Sequence, residues 1–137
     1  KICYPALRKG AEILADEIRR RLYALPDEAF RHLSEGERFE NLPQSQKRDL
    51  LESLGITGIS HDYTGKLNIK VGWHGYGPFP TKQYPDGLPN GLLAAAIEHG
   101  SSVRQKHPFI RPAVRAKRKE IIDAMTKEIE DYLRTIF

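Results

Sequence analysis

Leu67-Asn68-Ile69-Lys70-Val71-Gly72-Trp73 alternates large apolar residues with polar or small ones. Successive side chains of an extended strand point to opposite faces, so the stretch reads as a strand with Leu67, Ile69, Val71 and Trp73 on a buried side. Upstream, Ile56, Ile59 and Tyr63 suit a partner strand. Asp62-Tyr63-Thr64-Gly65-Lys66 supplies turn residues for an antiparallel hairpin. Two strands alone are marginal in water. They need a third strand or packed helices.

The flanks offer helices. Leu7, Ala11, Leu14, Ile18 and Leu22 recur at spacings of four and three, one stripe of a helix running from Pro5 to Tyr23. Pro5 suits the first turn, where its missing N–H has no intrahelical partner, and Pro26 follows the end. From Pro26 to Leu54 the chain is polar and broken. Asp27 to Leu33 is predicted as a short helix interrupted by Gly36. Pro43 to Leu54 is predicted as another, with Leu50, Leu51 and Leu54 on its apolar face and Gly55 as a left-handed stop.

Residues 74–91 hold Pro78, Pro80, Pro85 and Pro89 among Gly75, Gly77, Gly87 and Gly91. Such density rules out a regular helix and interrupts any sheet ladder. A loop this long in a small domain is often functional. Tyr76, Phe79 and Tyr84 make it adhesive, so it is the candidate assembly segment. Leu92 to Glu98 suits a short helix stopped by Gly100, with a strand as the alternative. Ser101 to Arg111 is expected to be extended. Pro112 to Ile136 reads as a long helix with Val114, Ile121, Met125, Ile129, Tyr132 and Ile136 inward, the face widened by Ile122 and Leu133. The expected fold class is α+β in one domain over 1–137: a small, mostly antiparallel β-sheet with the N-terminal and long C-terminal helices packed against it.

Composition sets outer bounds. Of 137 residues, 39% are hydrophobic and 29% charged, which fits a globular chain rather than a membrane or disordered one. The longest apolar run, Leu92 to Ile97, is far short of the roughly 20 residues that span a bilayer. No signal-like segment stands at the start, although a chain opening on Lys1 leaves a cleaved leader open. Cys3 is the single cysteine; it cannot pair internally and suits a reducing compartment. The net charge of +4 is compatible with an acidic partner without requiring one.

Chemical motifs are sparse. His32, His61, His74, His99 and His107 are scattered, with no helical His pair and no cysteine beside them, so no metal or other cofactor is expected. His61-Asp62 and Glu98-His99 are adjacent pairs without a nucleophile motif, better read as polar surface than as acid–base machinery. Gly72-Trp73-His74-Gly75-Tyr76-Gly77 superficially suggests a phosphate loop, but prolines follow it where a helix should start. A bend or bulge where the strand leaves the sheet is the better reading. No catalytic residue is assigned.

Arg104, Lys106, Arg111, Arg115, Lys117, Arg118 and Lys119 form a basic stretch with no acid before Glu120. Several fall in the first turns of the last helix, at the positive end of its dipole, unfavourable by roughly 0.3–1 kcal/mol per exposed charge. Two explanations stand: an external negative partner, either a neighbouring subunit or DNA contacted non-specifically, or a solvated face with Glu98, Glu120 and Asp123 nearby.

One stretch carries a resemblance. Ala96-Ile97-Glu98-His99-Gly100-Ser101-Ser102 followed by His107-Pro108-Phe109-Ile110-Arg111-Pro112-Ala113-Val114 resembles the signature of the minor tail component family of long-tailed, double-stranded-DNA phages and prophages, also described as head–tail joining, neck or tail-completion proteins. There an acidic residue, an aromatic, Gly and Ser or Thr precede a Pro-Phe-Leu-Arg-Pro-Ala run that opens the last helix. Here His99 stands for the aromatic and Ile110 for the Leu. Leu51-Glu52-Ser53-Leu54-Gly55-Ile56 and Val71-Gly72-Trp73-His74-Gly75-Tyr76 are similar to the regions around the family's sheet.

The resemblance implies a structural virion protein, made in the host bacterial cytoplasm, with no enzymatic activity. It implies partners that are further copies of itself, in a ring expected to be hexameric, and neighbouring head-connector or tail proteins, with no membrane. From the residues themselves, Glu98, Gly100, Ser101, Pro108, Phe109, Ile110, Arg111 and Pro112 are the candidate fold-defining or subunit-contact motif. Pro108 keeps His107 extended, and Pro112 fits the first helical position. Phe109 or Ile110 is expected to anchor the core. Arg111 is expected to clamp Glu98 through a bidentate pair across the Gly100 turn, the competing view being that it faces a partner. Arg104, Lys106, Arg115, Lys117, Arg118 and Lys119 are candidate partner or DNA contacts, and a basic DNA-binding module is the alternative function.

Overall fold

Small residues shape the contact between the first and last helices. Helix α1 (Cys3–Ala24) buries Ala6, Gly10, Ala11, Ala15, Ile18 and Leu22, while Leu7 and Leu14 stay half-buried. In the computed structural model, which describes residues 3–77 and 83–136, α1 packs along the last helix, α4 (Ile110–Ile136). A Cβ on Gly10 would stand 2.9 Å from the sulfur of Met125 and 3.1 Å from Cγ2 of Ile121. Gly10 therefore lets the two helices approach where any side chain would wedge them apart.

The segment after α1 departs from expectation. No helix forms over 27–33; instead β1 (Asp27–Glu28) pairs in parallel with β2 (Leu42–Pro43). The Glu28 carboxylate accepts the N–H of Asn41 at 3.0 Å and an Arg31 guanidinium N–H at 2.8 Å. These contacts hold the backbone extended, outweighing a weak local helix preference. Helix α2 (Gln44–Ser53) follows at once, with Leu50 fully buried. Gly55 is not its left-handed stop. The chain turns extended at Leu54 (φ −66°, ψ 128°) and runs into β3 (Leu54–Ile56).

The expected hairpin is present as two short antiparallel pairs. Strand β3 pairs with β6 (Val71–Trp73), and β4 (Ser60–His61) with β5 (Leu67–Asn68). Thr57 still faces Lys70, and Ser60 next faces Asn68, so Gly58 and Ile59 oppose Ile69 alone. That extra residue is a bulge, which bends the ribbon and divides what the alternation alone suggested was one strand. At the tip, Asp62 Oδ1 accepts the N–H groups of Thr64 and Lys66 at 2.8 and 3.0 Å, and Gly65 takes φ +85°.

Helix α3 (Asn90–His99) completes the core: Ile18, Leu22, Leu42, Leu50, Leu54, Leu93, Ala94, Ile97, Phe109 and Ala113 form one buried cluster. The fold is α+β: N-terminal and long C-terminal helices packed together with small two-stranded sheets, mostly antiparallel. Helix α4 starts at Ile110, two residues before the expected position, and Ala113 is its one buried residue among those described. Val114, Tyr132 and Ile136, expected inward, are 37%, 46% and 57% exposed. Helix α1, at 22 residues, is shorter than the 27-residue α4 it packs along, and the last turns of α4 stay open to solvent. No described helix is long and apolar enough to cross a membrane.

Candidate functional site

Helix α3 ends where the motif begins. Ile97 is 1% exposed and Glu98, beside it, only 5%. A carboxylate this deep needs hydrogen-bond donors, and the start of α4 supplies them. Glu98 Oε1 accepts the backbone N–H of Phe109 at 2.8 Å and of Ile110 at 2.7 Å, while Oε2 accepts that of Arg111 at 3.1 Å. The next residue is Pro112, which has no N–H. Of the four positions whose N–H groups a helix start leaves without intrahelical partners, three are thus served by one glutamate and the fourth is a proline with no N–H to satisfy.

Burial alone would raise the Glu98 pKa, but the N–H groups of Ile110, Phe109 and Arg111, with a smaller contribution from His99, hold it below its ordinary value. The carboxylate is therefore charged and sits at the positive end of the α4 dipole. It offsets part of the cost anticipated for the basic first turns without an external partner.

This arrangement corrects the expected clamp. Arg111 reaches Glu98 through its backbone N–H; among the described residues its guanidinium forms no ion pair with that carboxylate, and Arg111 is exposed. Pro112 is the third helical residue rather than the first. Phe109 is the core anchor, 1% exposed, with its ring 5.8 Å from that of Trp73 in an edge-on arrangement, whereas Ile110 is half-buried.

The connection between the two helices is equally constrained. Gly100 takes φ +79°, which favours glycine, and a Cβ there would crowd Cβ of Lys106 at 3.0 Å. Ser101 and Arg104 close a tight turn through N–H to O contacts in both directions at 3.1 and 3.4 Å. The N–H of His107 bonds Ile97 O at 2.7 Å. Phe39 donates to Val103 O and accepts from the N–H of Gln105, tying this turn to the polar segment after α1. Phe39 had no sequence signal, because it stands alone among charged residues; its 4% exposure is a product of the tertiary fold.

The basic residues divide. Arg104, expected on the surface, is 7% exposed, donates to Gln46 Oε1 at 3.0 Å and lies 5.8 Å above the Phe39 ring. Burial pushes its guanidinium below the ordinary value. Lys106, Arg115, Arg118 and Lys119 are exposed, and Lys117 is half-buried. Lys117 and Lys119 stand 3.6 and 3.8 Å from Glu120 and Asp123, a solvated helix face in the making. Arg115 and Arg118 have no ion-pair partner among the described residues.

Of the assembly loop, Tyr76 is 60% exposed and Tyr84 half-buried, while Phe79 lies outside the described residues. The ends of the loop are pinned together: Gly77 donates to Leu88 O at 2.8 Å, and Asn90 to Gly75 O at 3.0 Å. Glu98 and His99 line one shallow cleft with Trp73, Ala95 and Arg111, but His61 and Asp62 are not part of it. Asp62 is occupied with its own turn. Among the described residues no group of three or more His, Cys, Asp or Glu is placed to hold a metal ion. No family of known proteins, no curated protein and no solved structure matches this chain.

Proposed function

We propose that this chain is a structural component of a phage or prophage particle, a minor tail or neck protein that takes part in head–tail joining or tail completion through ring-forming self-association. One observation carries the reading from the structural side: α4 has more apolar surface than the chain covers. Ile122, Leu133 and Ile136 are 56%, 37% and 57% exposed. At 100° per residue they fall on one stripe of the helix. A second copy is the occupant that the sequence resemblance favours, and rotation-related, head-to-tail contacts close into rings.

The Glu98-capped junction supports the same reading. Glu98, Phe109, Ile110 and Arg111 brace a backbone there, which suits a scaffold. A direct test is native mass spectrometry of the full chain over a range of concentrations, alongside an Ile122→Glu variant. A closed oligomer in the wild type and a folded monomer in the variant support the proposal. A wild-type chain that stays monomeric at high concentration, and that fails to join co-expressed connector or tail-tube proteins, removes it.

A further inference from the structure

Several cations on α1, α2 and α4 have carboxylate neighbours, among them Arg20, Lys47 and Lys127, but around the Gly100 turn the pattern changes. Arg38, Arg104 and Lys106 line one open cleft of about 470 Å³ with His99 and Ser101, and among the described residues no acidic one lines it. None of the three cations has an ion-pair partner among the described residues. Two of them are nevertheless held in place by neutral groups. Arg38 donates to Gln105 Oε1 at 2.6 Å, and Arg104 to Gln46 Oε1 at 3.0 Å. Arg104 also sits on the fixed Ser101–Arg104 turn, bridged to Phe39. An amide oxygen orients a guanidinium without neutralising it.

A charge buried to 7% exposure without a counter-charge is costly unless a ligand supplies one. We infer that this cleft binds a phosphate group, with Arg38, Arg104 and Lys106 as its donors. A phosphate offers more negative charge and more acceptor oxygens than one carboxylate, which suits three cations lining one cleft, Arg38 from the segment after α1 and Arg104 and Lys106 from the α3–α4 connection, one of them a pre-oriented guanidinium fork. The site belongs to a single chain, so it stands or falls independently of ring formation.

The test is calorimetric titration of the full chain with inorganic phosphate at constant ionic strength, with chloride as control. An Arg38→Gln, Lys106→Gln double variant removes two exposed cations and leaves the core intact. Saturable phosphate binding, weakened at least tenfold in the double variant at unchanged melting temperature, is expected. An Arg104→Lys variant, checked for folding by circular dichroism, keeps the charge but loses the fork and should also weaken binding. A short duplex oligonucleotide distinguishes the source of the phosphate. Competition with inorganic phosphate, lost in the double variant, points to a nucleic-acid backbone; phosphate binding without competition points to a free phosphate. Absence of saturable phosphate binding, or equal affinity in the wild type and double variant, overturns the site.

Discussion

Glu98 and Ile110 meet at 2.7 Å, side-chain carboxylate to backbone nitrogen, although twelve positions separate them in the chain. The contact joins the last turn of α3 to the first turn of α4 and brings Phe109 and Arg111 to the same carboxylate. A cap borrowed from another helix fixes the relative pose of two helices as well as ending one of them. It also lets the chain pass through a basic run at a helix start, because the compensating charge is built in.

Removing the carboxylate should therefore damage the fold broadly. Glu98→Ala leaves several backbone donors short of partners and should cost about 2–4 kcal/mol, on the scale of unsatisfied buried groups and lost helix caps. Glu98→Gln keeps one acceptor oxygen and should cost less. Urea denaturation of both variants measures this; a Glu98→Ala midpoint equal to the wild type would show the cap to be idle.

The same carboxylate predicts a pH dependence. Its folded-state pKa lies below the ordinary 4.5, so the folded protein releases this proton more readily than the unfolded chain. The stabilisation is fully present above the unfolded value and fades as pH falls through the folded one. The stability gap between wild type and Glu98→Gln should be constant from neutral pH down to the ordinary carboxylate range and close below it. A gap that widens on acidification would contradict the assignment.

Glu17 should persist further into acid. Hydrogen bonds from Arg20, opposed by burial and aided by Arg21, lower its pKa from 4.5 to about 2. Its contribution is present above the unfolded value and lost only as pH approaches 2. Carbon-13 NMR of the Glu17 carboxyl, read against Glu98, should show Glu17 ionised at pH 3. A Glu17 midpoint near 4.5 would show that the arginine pair does not hold it in solution.

Gly10 offers a test of helix spacing. Gly10→Val places branched carbons against Met125 and Ile121 and should destabilise by about 1–3 kcal/mol, the usual cost of overpacking. In a double-mutant cycle, Met125→Ala should recover part of that loss, since neighbours in contact are not additive. Strict additivity would mean that the helices do not touch at this point.

The loop has its own stringent position. Gly87 takes φ +103°, and a Cβ there would fall 2.1 Å from Gly77 O. Gly87→Ala should open the pinned ends of the loop at a cost of about 1–3 kcal/mol, as for other strained backbone positions. Faster hydrogen exchange at Gly77 and Asn90, with little change in α1, is the expected signature; protection unchanged at both amides would refute the pinning.

Local pattern carried much of the fold. The stripe Leu7 to Leu22 marked α1, the alternation Leu67 to Trp73 marked a ribbon, the residues Asp62 to Lys66 marked its turn, and Gly100 marked the end of α3. Each of these signals acts between residues a few positions apart, where backbone geometry and side-chain period are linked directly. The same logic failed at Asp27 to Leu33, where a local helix preference lost to contacts with Asn41 and Leu42. It failed again at Arg111, because charge pairing in sequence says nothing about which atoms of Arg111 face Glu98.

The sequence by itself determined the α+β class, the two long helices and the ribbon, and the place of the Glu98–Pro112 stretch between two helices. Only the tertiary structure decided that Glu98 serves three backbone amides, that Arg104 is drawn inside against Phe39, and that the stripe through Ile122 and Ile136 is left uncovered. The reason is physical: period and propensity are set by neighbours along the chain, whereas burial and hydrogen-bond satisfaction are set by segments that meet only once the core has closed.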